Sequence, residues 1–252
     1  MILAGSELGG GPPVALLHGL FGAAANFGTV QKRLAERYRV ISLDLRNHGA
    51  SPHTSYMSYP AMAEDVLETL RARNALPCAL VGHSMGGKVA MAAALEAPGA
   101  ISRLLVADIA PVTYPPLFRS YAAAMAAIPL SAELTRVAAD RALATTIENP
   151  AVRAFLLQNL RFGEKPTWRI GLDAIAAGLE QIEGWPDLDE NAYLGPTLFV
   201  SGARSDYIQP EHRAVIRTLF PAARFAVLKN AGHWLHADNS EGFISLVDAF
   251  LS

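Results

Sequence analysis

Residues 81–90 run Val81-Gly82-His83-Ser84-Met85-Gly86-Gly87-Lys88-Val89-Ala90, VGHSMGGKVA, and two templates overlap there. Gly82 to Gly86 fits G-x-S-x-G, the turn that presents a nucleophilic serine between a strand and a helix. Gly82 to Lys88 fits G-x-x-x-x-G-K, the front of a phosphate-binding loop. A phosphate loop needs a hydroxyl directly after its lysine to ligate magnesium, and Val89 stands in that place. The elbow needs a strand, small residues two before and two after the serine, and a helix. Ala79-Leu80-Val81 supplies the strand, Gly82 and Gly86 the flanks, and Val89-Ala90-Met91-Ala92 the helix. A bare G-x-S-x-G also fits a glycine-rich turn with a capping serine, so the surroundings of Ser84 decide.

Outward from the elbow, short apolar or β-branched runs alternate with longer periodic ones. Residues 14–17, 40–43, 79–81 and 103–108 read as strands, and 27–37, 61–73 and 85–96 as helices. Such alternation builds a parallel sheet covered on both faces. Residues 111–190 interrupt it: Tyr121, Met125, Ile128, Leu134, Val137, Leu143, Phe155, Leu156 and Leu160 keep helical spacing, no strand is expected, and Pro115-Pro116 and Trp185-Pro186 bracket the stretch. Alternation resumes with a strand at 196–201, a helix at 211–219, a strand at 225–228 and a helix at 240–250. The expected organisation is a core of residues 1–110 and 191–252 with a helical cap, 111–190, inserted into it.

A chain of 252 residues that is 51% hydrophobic can bury a large core. Its net charge of −2 offers no excess of cations to a nucleic-acid backbone or an anionic membrane, so neither partner is expected. Cys78 is the single cysteine, which excludes an intrachain disulfide and a thiolate metal cluster. The first residues, MILAGSELGGGPPV, have neither a basic start nor an apolar run of signal length, and a cytoplasmic protein is expected.

A serine becomes nucleophilic when a histidine takes its proton and a carboxylate holds that histidine. His233, in Ala231-Gly232-His233-Trp234, follows the last expected strand, and strand C-termini of an open α/β sheet face one crevice. His236 lies three residues on, but no third ligand nearby completes a metal site with it. Two carboxylates satisfy the order Ser, Asp, His: Asp108, ending the strand beside the elbow strand, and Asp206, on the loop after the next strand. Geometry leaves them even. Oxyanion donors are expected from the Met85 amide, at the start of the helix, and from the loop Leu17-His18-Gly19-Leu20-Phe21, where Gly19 lets the Leu20 amide, ahead of that of Phe21, face the serine. His18 is read as a structural loop histidine. Phe21 and Trp234 are candidates for the acyl pocket. Lys88 and Arg119 could meet an anionic substrate group, though solvated cations are the plainer reading.

The runs HGLFG, DLRNHGAS (44–51), SYPAMAED (58–65), GHSMGGK, DIAPV (108–112) and AGHW together resemble the α/β-hydrolase superfamily over nearly the whole chain. Within it they resemble the YbfF-type esterases, relatives of a mitochondrial abhydrolase. That resemblance implies a serine esterase acting on acyl esters, with acyl-coenzyme A thioesters as a further substrate class, and without metal or organic cofactor. It also implies Asp108, the Asp of DIAPV, as the acid in preference to Asp206, and a place for Ser205 beside the triad. The chain departs from the group at Ala203-Arg204, where Gly-Asn is usual. Carbon–carbon bond hydrolysis, or a ligand-binding protein on the same scaffold, are the alternatives; haloalkane and epoxide chemistry would need Asp at the elbow, where Ser84 stands.

Overall fold

The computed structural model describes residues 1–188 and 192–252; the expected boundary at 190/191 lies outside them. The chain opens with β1 (Gly5–Leu8) and β2 (Pro13–Leu17), followed by a 3-10 turn and α1 (Gly28–Leu34), β3 (Arg39–Leu43), α2 (Tyr59–Ala72), β4 (Cys78–His83), α3 (Met85–Glu96) and β5 (Ile101–Ala107). Helices α4 (Phe118–Ala126), α5 (Arg136–Leu143) and α6 (Pro150–Leu156) come next, then β6 (Leu160–Arg161), β7 (Thr167–Trp168) and α7 (Leu172–Glu183). The chain closes with β8 (Thr197–Gly202), α8 (His212–Leu219), β9 (Ala223–Leu228), α9 (Leu235–Asp238) and α10 (Ser240–Leu251).

Seven strands form one sheet in the order β1-β3-β2-β4-β5-β8-β9. Only β1 runs antiparallel to its neighbour. The central strands are buried on both faces, which explains their near-continuous apolar runs. Alternate side chains feed two cores: Leu80, Leu104 and Val106 face the side of α2 and α3, while Val81, Leu105 and Ala107 face the side of α1 and α10. The chain steps from β2 outward to β3, then returns across β2 to place β4 on its other side. The crevice between the loops after β2 and β4 is therefore the topological switch point, where open α/β sheets take their ligands.

The structure differs from the sequence reading at three places. β1 is a strand that no apolar pattern announced, because all four of its residues are exposed and it pairs only with β3. Residues 111–190 are not wholly helical: Leu160 and Arg161 pair with Trp168 and Thr167 in a two-residue antiparallel ladder. A ladder that short has no room for an alternating pattern. The helix expected over 27–37 is also shorter: α1 begins at Gly28, after a 3-10 turn over Ala24–Phe27, and ends at Leu34. Among the described residues no helix is long and apolar enough to cross a membrane.

Candidate active site

Ser84 leaves β4 with φ 54°, a region sparsely used by residues other than glycine. The tightness of the turn dictates its flanks. A Cβ at Gly82 would run into the carbonyl of Gly86, and one at Gly86 into the carbonyls of Leu17 and His18. Asp108, leaving the neighbouring β5, also has a positive φ, 55°. These two irregular exits turn their side chains toward the loop after β9.

There a hydroxyl, an imidazole and a carboxylate form a chain of hydrogen bonds. Ser84 Oγ lies 3.0 Å from His233 Nε2, and His233 Nδ1 lies 2.8 Å from Asp108 Oδ2. Asp108 is fully buried. Its Oδ1 accepts the Gly202 amide at 3.0 Å, and its Oδ2 also accepts the Ser205 hydroxyl. The Gly202 amide, the Ser205 hydroxyl and the His233 ring thus all meet the two oxygens of this carboxylate. Asp206, one residue beyond Ser205, is exposed, with no hydrogen bond to His233; its backbone carbonyl accepts the Gln209 side chain. The structure thus brings Asp108 to the imidazole and leaves Asp206 on the rim.

His233 is held from other sides by residues the sequence did not single out. His83, the residue before the serine, donates its Nε2–H to the His233 carbonyl at 2.7 Å. Tyr207 stacks on the His233 ring, with centroids 3.9 Å apart and planes inclined by 19°. The Tyr114 hydroxyl fixes Tyr207 in turn, donating to its carbonyl at 2.6 Å. No motif records these contacts, because the end of β4 and the loops after β5, β8 and β9 create them together.

The loop after β2 is fastened by two histidines. His18 donates from Nδ1 to the Gly19 carbonyl and accepts the Leu45 amide at Nε2. His48 donates to the Arg46 carbonyl and accepts the Phe21 amide at 3.1 Å. The Phe21 amide is therefore taken. Among the described residues, the Leu20 and Met85 amides have no protein acceptor. Gly19 allows the approach, since a Cβ there would sit 3.2 Å from that of Ser84.

Two apolar lobes meet at Ser84. One, of about 340 Å³, is lined by Phe21, Phe118, Phe155 and Trp234; the other, of about 360 Å³, by Tyr59, Ile109, Pro115 and Ile182. Leu20, Leu117, Phe118 and Tyr207 border both. Phe21 and Trp234 thus face the first lobe. Arg119 is exposed and lies 3.8 Å from Glu180. Lys88 departs from its reading as a solvated cation: it is 1% exposed and donates to three backbone carbonyls. The cause is its position on α3, which is packed on every side. Burial pushes the Lys88 pKa down, while the three carbonyls that accept from Nζ favour the ammonium against that pull. His236, the other candidate metal ligand, packs its ring 4.8 Å from that of Phe27, and among the described residues no group of three His, Cys, Asp or Glu is placed to hold a metal.

Burial lowers four histidines: His18 to about 4, His48 to about 3, His236 to about 4, and His83 well below its usual value. Unfolded, each titrates near 6.5. Between those values the unfolded chain binds more protons, so stability falls as pH drops through 6.5 toward 4. Each histidine contributes a slope of up to about 1.4 kcal/mol per pH unit. Urea midpoints measured from pH 7 to pH 5, above the range of ordinary carboxylates, should fall steeply. A flat profile there would mean that these rings protonate without unfolding the protein.

Residues 12–240 match the family model described as alpha/beta hydrolase fold. The chain is 42% identical over 250 residues to the sn-1-specific diacylglycerol lipase ABHD11 of Mus musculus, covering 96% of this chain and 81% of that protein. It is 35% identical over 245 residues to Esterase YbfF of Escherichia coli, covering 95% and 93%. A solved structure titled Marine microorganism esterase superposes with a TM-score of 0.94 at 34% identity, covering 99% of both chains. With its sheet order, its elbow after β4 and these likenesses, the chain belongs to the α/β-hydrolase family, in the branch that holds these esterases.

Proposed function

We propose that the protein is a serine carboxylesterase working through an acyl-enzyme on Ser84. The observation that carries this reading is the unbroken path from Ser84 Oγ through His233 to Asp108, with gaps of 3.0 and 2.8 Å. His233 Nδ1 is held as a donor by the carboxylate, so Nε2 is free to accept the serine proton as Oγ attacks the ester carbonyl. The carbonyl oxygen gains charge and is met by the Leu20 and Met85 amides. One such donor is worth roughly 3–4 kcal/mol of transition-state stabilisation. His233 then delivers its proton to the leaving alcohol, and a water activated by the same ring releases the acid. Thioesters pass through the same tetrahedral intermediate and fall within the proposal.

Residues 111–190 act in this reading as a cap over the strand ends. Phe118 and Phe155, from α4 and α6, wall the first lobe, and Ile182, from α7, walls the second. Two apolar lobes on either side of the hydroxyl suit an ester with apolar groups on both its acyl and alcohol sides. Closing them off from water strengthens each electrostatic contact at the reacting carbonyl.

A fluorophosphonate probe tests the nucleophile directly. The native protein should form one covalent adduct, mapping to the peptide that contains Ser84, and boiling before labelling should abolish it. Absence of an adduct on folded protein would favour a ligand-binding role on this scaffold.

A further inference from the structure

We propose that Lys88 is a positioning residue: its buried ammonium staples both roots of the cap to the helix that starts at the nucleophile. The proposal rests on the reading of residues 111–190 as a cap. Lys88 Nζ donates to the Val112 carbonyl at 2.8 Å, on the segment leaving the core after β5. It donates to the Glu183 and Gly184 carbonyls at 3.3 and 2.5 Å, at the end of α7 where the chain turns back toward β8. All three N–H bonds are thereby used, none remaining for a substrate anion. The Tyr59 and Tyr114 rings lie 5.4 and 4.9 Å from the charge, where their faces favour a cation.

The two roots also hold each other. Tyr114 N–H donates to the Glu183 carbonyl, and Phe118 N–H to the Glu183 carboxylate at 2.9 Å. Tyr59, on α2, donates its hydroxyl to the Ile182 carbonyl at 2.5 Å. Lys88 joins this bundle to the reacting serine by a short path, since its own amide donates to the Ser84 carbonyl one helical turn earlier. The amine therefore fixes where the cap walls stand relative to the hydroxyl. A substrate long enough to touch those walls feels the staple, and an acetyl group confined to the serine and the oxyanion donors does not.

Lys88→Met keeps the side-chain length and removes every donor. The variant should lose at least tenfold in kcat/KM for p-nitrophenyl octanoate, chiefly through KM, while kcat for p-nitrophenyl acetate stays within threefold. Amides in segments 110–118 and 180–188 should exchange hydrogen at least tenfold faster, with β4 and β5 unchanged. Equal losses on both esters, or faster exchange spread over the sheet, would overturn the proposal in favour of a general stabilising role. Should Lys88→Met fail to fold, reductive methylation of the wild type decides. Lys32, Lys165 and Lys229 are exposed and should react at least 100-fold faster than Lys88; equal reactivity would overturn the staple. If instead the esterase reading were wrong, the wild type would cleave neither ester while the exchange and methylation results stood.

Discussion

Ser84→Ala should lower kcat for an activated ester by about 10⁵- to 10⁶-fold, the scale on which removing the nucleophile of such a triad acts. Without Oγ no acyl-enzyme forms, and the remaining rate comes from water attacking a carbonyl that the Leu20 and Met85 amides still polarise. That residue of catalysis should stay about 10³-fold above the uncatalysed reaction. Folding should be almost untouched. The hydroxyl's one side-chain partner is His233, and alanine meets the same backbone restriction at φ 54° as serine. KM for the slow residual reaction should stay within a few-fold of the native value, because both lobes survive. Steady-state kinetics with protein purified apart from any native enzyme measures this. A variant retaining more than one per cent of kcat would show that another group attacks.

The elbow could be read from sequence because its chemistry is local. Gly82 and Gly86 are demanded by backbone atoms within a few residues or on the adjoining loop, and a pattern of small residues records that demand. The parallel strands were legible for a similar reason, since burial on both faces writes an apolar run. Lys88 was not. A cation in a helix ordinarily marks a solvated face, and the acceptors that make burial tolerable here come from Val112, Glu183 and Gly184, far away in the chain. His83 and Tyr207 leave no sequence signal of their role, because their work is to hold the His233 loop by a backbone bond and a stacked ring. No spacing along the chain encodes either contact. β1 is illegible in the sequence because an exposed edge strand has no buried face to reveal it.

Asp108 and Asp206 were separable only by resemblance at the level of sequence, since both follow strands whose ends reach the crevice. The loop after β8 decides the difference in space: it turns Ser205 inward to the carboxylate of Asp108 and leaves Asp206 exposed. Asp108→Asn should therefore lower kcat by about 10⁴-fold with little change in folding, and the hydrogen bonds say why. Asparagine has one accepting oxygen and one donating nitrogen. The Gly202 amide is fixed and points at the Oδ1 position, so the carboxamide oxygen must settle there; the reverse orientation would bury two donors face to face. The NH₂ group then takes the place of Oδ2, where the Ser205 hydroxyl can rotate to accept. His233 Nδ1, now facing a donor, must give up its proton. The tautomer flips, Nε2 carries the hydrogen, and the imidazole can no longer take the proton of Ser84. Asp206→Asn, at a carboxylate with no hydrogen bond to His233 or Ser84, should change kcat by less than about threefold. The two variants assayed side by side test the assignment: a larger loss at Asp206 would mean that the loop after β8 rearranges when substrate binds and supplies the acid itself.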